Sequence, residues 1–169
     1  MNTVKILFLD VDGVLNGHDW SDEAQSCSIR RECVAHLNRV IRETGCKIVL
    51  SSAWRYVVLG GDMTLKGFGY LLRTHGLICP SDTMNLIVGC TVPDELPPRP
   101  VRDGERGRQC REWLHGPENQ WEVTWFAAVD DEEDGFAEFG IPAVITDGAR
   151  GLTAEDADAL IGLLNGASG

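Results

Sequence analysis

The stretch Lys5-Ile6-Leu7-Phe8-Leu9-Asp10-Val11-Asp12-Gly13 limits the possible folds more than any other part of the chain. An apolar run without polar alternation marks a strand buried on both faces, and such strands belong to parallel sheets covered by helices. The run ends abruptly in two carboxylates one residue apart, followed by a glycine. In open α/β sheets the carboxyl ends of the strands form the ligand-binding edge. Two acids placed there repel each other unless a cation or a shared proton offsets their charge. A strand end of this kind suits a metal and chemistry beside it.

The pattern repeats along the chain. Val4–Asp10, Cys46–Leu50, Leu86–Val88, Val123–Val129 and Ala143–Thr146 are apolar, partly β-branched runs that predict strands. Between them, Ile29, Cys33, Leu37, Val40 and Ile41 recur at helical spacing over 28–44, with Gly45 as the stop. Helices are also expected over 62–76, 105–115 and 134–139, and after Thr153, where Asp156 completes a capping-box pattern. Pro93, Pro97, Pro98 and Pro100 predict loop over 91–103. Strands alternating with helices predict an α/β fold: a single Rossmann-like three-layer domain over 1–169 with a central, mostly parallel sheet.

Composition narrows the function classes. Among 169 residues, acids outnumber bases 26 to 15, for a formal net charge of −11. That disfavours loose binding along a nucleic-acid backbone but permits recognition of a nucleic-acid end in a local pocket. No apolar run approaches the roughly 20 residues that cross a bilayer, and a strand begins almost at once, so no signal peptide is expected. Cys27, Cys33, Cys46, Cys79, Cys90 and Cys110 include no C-x-x-C pair, so reduced, mostly buried thiols in a cytoplasmic protein are expected rather than zinc ligands or disulfides. No membrane and no stable protein partner is expected.

Three polar clusters follow buried strands: Asp10 with Asp12, Ser51 with Ser52, and Asp130 with Asp131. In a parallel sheet all these ends lie on one edge, so distant positions converge. Arg106 and Arg108 open the helix before the third cluster and can supply positive charge; Lys66 is a weaker rival. Such a set suits phosphoryl transfer. A carboxylate attacks phosphorus, a second moves protons, a hydroxyl and a guanidinium hold the phosphoryl oxygens, and Mg2+ offsets the crowded negative charge. Arg55, beside Trp54, can reach substrate at the same edge, and His18 lies in the loop after Asp12.

LFLDVDGVLN resembles the first signature of the haloacid dehalogenase-like (HAD) phosphatases, IVLSS the second, and AAVDDEED the acidic fourth. SSAWR, RGRQCREWL and ITDGARGLT are similar to the HAD domain of Swiss Army Knife RNA-repair proteins. The resemblance implies that Asp10 is the nucleophile and Asp12 the general acid/base. It further implies that the Asp10 carboxylate, the Asp12 backbone carbonyl, Asp130 and Asp131 hold Mg2+, with Asp134 able to replace Asp131. Ser51 and Arg106 match the phosphate-binding positions.

Only about fifteen residues separate Asp12 from the first helix, and about 55 separate Ser51 from Arg106, so a minimal cap or none is expected. In this superfamily an open site implies a large phosphorylated substrate, and the repair-protein resemblance points to a nucleic-acid end. A small phosphomonoester and a catalytically silent, partner-binding HAD-like module are the alternatives. A signalling receiver domain shares the aspartyl-phosphate chemistry, but its phosphorylated acid lies on a middle strand, where this chain has Ser51.

Overall fold

The computed structural model describes residues 3–17, 28–78, 86–92, 105–117 and 119–166. The elements run β1 (Thr3–Leu9), α1 (Arg31–Thr44), β2 (Lys47–Leu50), α2 (Arg55–Leu59), α3 (Leu65–Thr74), β3 (Ile87–Cys90), α4 (Glu105–His115), β4 (Glu122–Asp130), β5 (Ala143–Ile145) and α5 (Ala154–Leu164). The strands form one sheet in the order β3-β2-β1-β4-β5, and each described pairing is parallel. This is the expected Rossmann-like α/β architecture. The apolar first strand lies at its centre, between β2 and β4.

Two hydrophobic layers sandwich the sheet, and strand alternation assigns each side chain to one of them. Leu7, Leu9, Ile48, Leu50, Ala127 and Val129 pack with Leu37 and Val40 of α1, Phe68 and Leu72 of α3, and Leu160 of α5. Ile6, Phe8, Val49 and Ala128 pack on the opposite side with Cys110 and Trp113 of α4 and with Phe136 and Ile141. Continuing the alternation one residue past each strand sends Asp10 and Ser51 toward α4, and Asp130 follows from Ala128 in the same way.

The helix signals hold where local chemistry dominates. α1 stops at Gly45, whose φ of 68° is left-handed and whose N–H donates to the Ile41 carbonyl at 2.8 Å. α5 opens with the full capping box: the Thr153 side chain accepts from the Asp156 amide, and the Asp156 side chain accepts from the Thr153 amide.

Two expectations fail. The continuous helix over 62–76 is instead α3 alone, beginning at Leu65 because the Thr64 hydroxyl accepts from the Gly67 amide at 2.9 Å. The short helix α2 before it had no apolar period to announce it. The helix expected over 134–139 is only a turn: Gly135 and Gly140 take φ of 73° and 67°, which a right-handed helix does not contain. Among the described residues no helix is long and apolar enough to cross a membrane. His18, Trp20, Cys27, Cys79 and the four prolines of the 91–103 loop lie outside the described residues; Cys33, Cys46, Cys90 and Cys110 are free thiols.

Candidate functional site

Backbone pairing carries the sheet one residue past its strands and builds a polar rim. The Thr91 amide donates to the Leu50 carbonyl, Ser51 to Leu9, Asp10 to Val129, and Thr146 to Asp130, all at 2.9–3.0 Å. In space the rim reads Thr91, Ser51, Asp10, Asp130, Thr146, although these residues come from five different parts of the chain. Neighbouring strands are about 4.8 Å apart, so Asp10 lies one strand spacing from both Ser51 and Asp130.

α4 supplies the cation. Nη1 of Arg106 lies 2.9 Å from Asp10 Oδ1 and 2.6 Å from Asp130 Oδ2, and its Nε lies 3.7 Å from Asp134 Oδ2. Arg108 instead pairs with Glu112 at 2.6 Å along the helix, and Lys66 is exposed on α3. Close backbone packing decides between the two arginines. The Gly107 amide donates to the Asp134 carbonyl at 2.9 Å, and a Cβ on Gly107 would stand 2.2 Å from the Gly135 carbonyl oxygen. Only glycine lets the start of α4 sit against this turn, and that contact turns Arg106 inward.

The acids are strained electrostatically. Burial pushes the Asp10 carboxyl up to about 7, against the pull of Arg106 and with Asp130 adding to the rise. Burial likewise raises Asp130 to about 6, with Arg106 opposing. Burial alone would lower Arg106, but Asp10 and Asp130 hold its charge and raise it instead. One guanidinium therefore does not offset the acids around it.

One ligand atom from each of Asp10, Asp130 and Asp131 lies within 4.8 Å of the other two. Asp10 Oδ1 is buried and no donor meets hydrogen-bond geometry with it, despite the nearby guanidinium. Three hard oxygen donors this close together fit a divalent cation such as Mg2+. Gly13 makes room for this group: its φ is 76°, and a Cβ there would stand 2.5 Å from Asp131 Cγ.

Asp12 does not continue the extended strand that carries Asp10. A turn begins at Val11, whose carbonyl accepts from the Val14 and Leu15 amides, so the strand has ended. Asp12 is held by other residues. Asn16 Nδ2 donates to its Oδ1 at 2.8 Å, and Trp54 Nε1 lies 3.2 Å from both of its oxygens. Ser52 helps hold the Asp10 carboxyl down, and the Ser51 hydroxyl lies 3.6 Å from the Cys110 thiol. Arg55 is buried at the same edge, its Nη1 donating to Thr91 Oγ1 at 2.7 Å.

A model of the HAD domain in Swiss Army Knife RNA repair proteins matches residues 6–157. The chain belongs to this family. No curated protein and no solved structure matches it significantly. The match to the HAD domain spans β1 through the first turn of α5, so the whole polar rim falls within it.

Several parts of this HAD site escaped the sequence. Trp54 reads as a packing residue, and it does lie 6.1 Å from Phe68 ring to ring, but its indole N–H also braces Asp12. Asn16 is fully buried between Asp12 and Gly13, accepting from the Gly13 amide at 2.8 Å. The Thr146 hydroxyl donates to the Gly13 carbonyl at 2.8 Å and ties the first loop to the end of β5. The LFLDVDGVLN motif contained Asn16, but its partners are set only in three dimensions.

Proposed function

We propose that this HAD domain is a Mg2+-dependent phosphomonoester hydrolase working through an aspartyl-phosphate. The convergence of Asp10, Ser51 and Asp130 on the face of the sheet that carries Arg106 is the observation that supports it most. Asp10 is the nucleophile: its carboxylate attacks phosphorus and forms the acyl phosphate as the ester oxygen leaves. Asp12 protonates that oxygen, then takes a proton from the water that cleaves the acyl phosphate. Trp54 and Asn16 hold the Asp12 carboxylate in place for both transfers.

Ser51, Ser52 and Arg106 act on the phosphoryl oxygens, and Arg55 binds substrate farther along the rim. The Asp10 and Asp131 carboxylates, Asp130 and the Asp12 backbone carbonyl hold Mg2+. The cation offsets the charge of the buried acids and of the phosphoryl group. The net charge of −11 favours capture of a phosphate at a nucleic-acid end over binding along a nucleic-acid backbone. The single domain and the cytoplasmic setting are part of the same proposal.

Release of phosphate from p-nitrophenyl phosphate, with Mg2+ and with excess EDTA, tests the reading. Activity should require the cation, and Asp10→Asn should abolish turnover while leaving the melting curve cooperative. Near-wild-type release by that variant would rule out Asp10 as nucleophile. No release from this ester or from 3′- and 5′-phosphorylated oligonucleotides would favour the silent module.

A further inference from the structure

The side chain of Arg55 is 1% exposed, yet no carboxylate among the described residues lies within ion-pair distance of it. Its described contacts are the hydrogen bond to Thr91 Oγ1 and the Tyr56 ring 5.4 Å away, and its Nε has no hydrogen-bond partner. Burying a charge without an opposite charge is costly, so the lack of a counter-acid among the described residues is informative. Every other polar side chain of the SSAWR segment is engaged at the rim. Ser51 lies beside Cys110, the Ser52 hydroxyl accepts from the Trp54 amide, and Trp54 Nε1 donates to Asp12.

Its place on the rim fixes what it can bind. Thr91 lies two strands from Asp10, across Ser51, which is about 10 Å. Val49 pairs with Gly89, which faces Trp113 of α4, so Ser51 and Thr91, two residues on, point to that same side, and the Arg55 guanidinium held by Thr91 shares it with Arg106. One phosphoryl group in line with Asp10 and held by Arg106 is too small to reach across to Thr91. A second anion on the same substrate can reach it.

We infer that Arg55 and Thr91 form a second anion subsite, and that the substrate is a nucleotide carrying another phosphate beside the phosphomonoester that is cleaved. The first phosphate in this inference rests on the phosphatase reading; the second rests on Arg55 and Thr91. A guanidinium suits this role because its fork meets two phosphate oxygens at once, and Nε is one of the donors in that fork. Thr91 holds Nη1 and orients the fork. A phosphate at a nucleic-acid end has such a neighbour in the adjoining phosphodiester.

The test compares thymidine 3′,5′-bisphosphate with thymidine 3′-monophosphate and 5′-monophosphate, with Mg2+ present. Wild type should show kcat/KM about tenfold or more higher on the bisphosphate, the size expected of a charge-assisted pair. Arg55→Met should erase most of that ratio and Arg55→Lys should retain part of it. Equal kcat/KM on the three compounds, or an equal loss on all three in Arg55→Met, would overturn the subsite and leave the phosphatase reading standing.

If no ester is turned over, calorimetry with the same compounds decides. Tighter binding of the bisphosphate, lost in Arg55→Met, supports the subsite even though the hydrolase reading has failed; equal or absent binding overturns it. Should Arg55→Met not fold, Thr91→Val takes its place, and the wild-type comparison stands without either variant.

Discussion

Arg106 reaches Asp130 across 24 residues of chain, its Nη1 donating to Oδ2 at 2.6 Å, and the same nitrogen lies 2.9 Å from Asp10. It pulls both acids down, yet burial wins: Asp10 stands at about 7 and Asp130 at about 6, against 3.8 in the unfolded chain. Because the folded values lie above the unfolded one, the folded state binds extra protons between about pH 4 and 7. These acids therefore destabilise the cation-free protein progressively as pH rises through that window, with no further loss above it. Thermal melts across the range with EDTA should show the decline, and Mg2+ should flatten it by favouring the ionised acids. A pH curve indifferent to Mg2+ would argue against a cation among them.

Removing the guanidinium should be worse than removing one acid. Arg106→Met leaves Asp10, Asp130 and Asp134 buried around a vacated position, and breaking a buried ion pair from one side costs about 3–5 kcal/mol. Urea unfolding at pH 7 should show that loss, and Arg42→Met, whose ion pair with Glu43 is exposed, should stay within about 0.5 kcal/mol of wild type.

Gly13 should tolerate no side chain. Its φ of 76° costs an L-residue about 1–2 kcal/mol, and the new Cβ would press on Asp131. Gly13→Ala should lower stability by at least about that amount and weaken Mg2+ binding as well, measured by denaturant melts and by cation titration. Unchanged cation affinity would show that Asp131 is not a ligand.

Trp54→Phe separates packing from positioning. Phenylalanine can keep the contact with Phe68 but lacks the N–H that meets Asp12. A lost hydrogen bond to a charged group is worth about 1.5–3 kcal/mol, so kcat should fall about tenfold or more with little change in KM. Steady-state kinetics on p-nitrophenyl phosphate measure the split, and an unaltered kcat would reduce Trp54 to a packing residue.

Gln109 offers a stabilising change. It is 1% exposed on α4, and neither atom of its amide has a hydrogen-bond partner. A buried, unsatisfied amide costs about 1–3 kcal/mol, which Gln109→Met removes at nearly constant volume. The melting temperature should rise by a few degrees in differential scanning calorimetry; a fall would mean that the amide is satisfied in solution.

Much of this site was legible because strands announce themselves locally. The apolar runs ending at Asp10, Ser51 and Asp130 each carry their own signal, and alternation then places all three on one face. The residues that hold Asp12 carried no such signal. A tryptophan in a sequence says that a large ring is buried, not where its N–H points, and Asn16 finds Asp12 only because the chain turns at Val11. The helix expected over 134–139 failed for a related reason. Acids followed by apolar residues resemble a helix start, but Gly135, where the turn meets Gly107, and Gly140 both adopt positive φ.

Residue order alone established the alternating strands and helices, the shared edge, and the acids delivered to it, because hydrophobic period and strand termination are properties of short segments. Folding was needed to choose Arg106 over Arg108, to brace Asp12 with Trp54, and to bury Arg55 without a counter-acid among the described residues. Those outcomes depend on which surfaces meet across the sheet, and a contact between residues far apart in the chain leaves no periodicity in either segment.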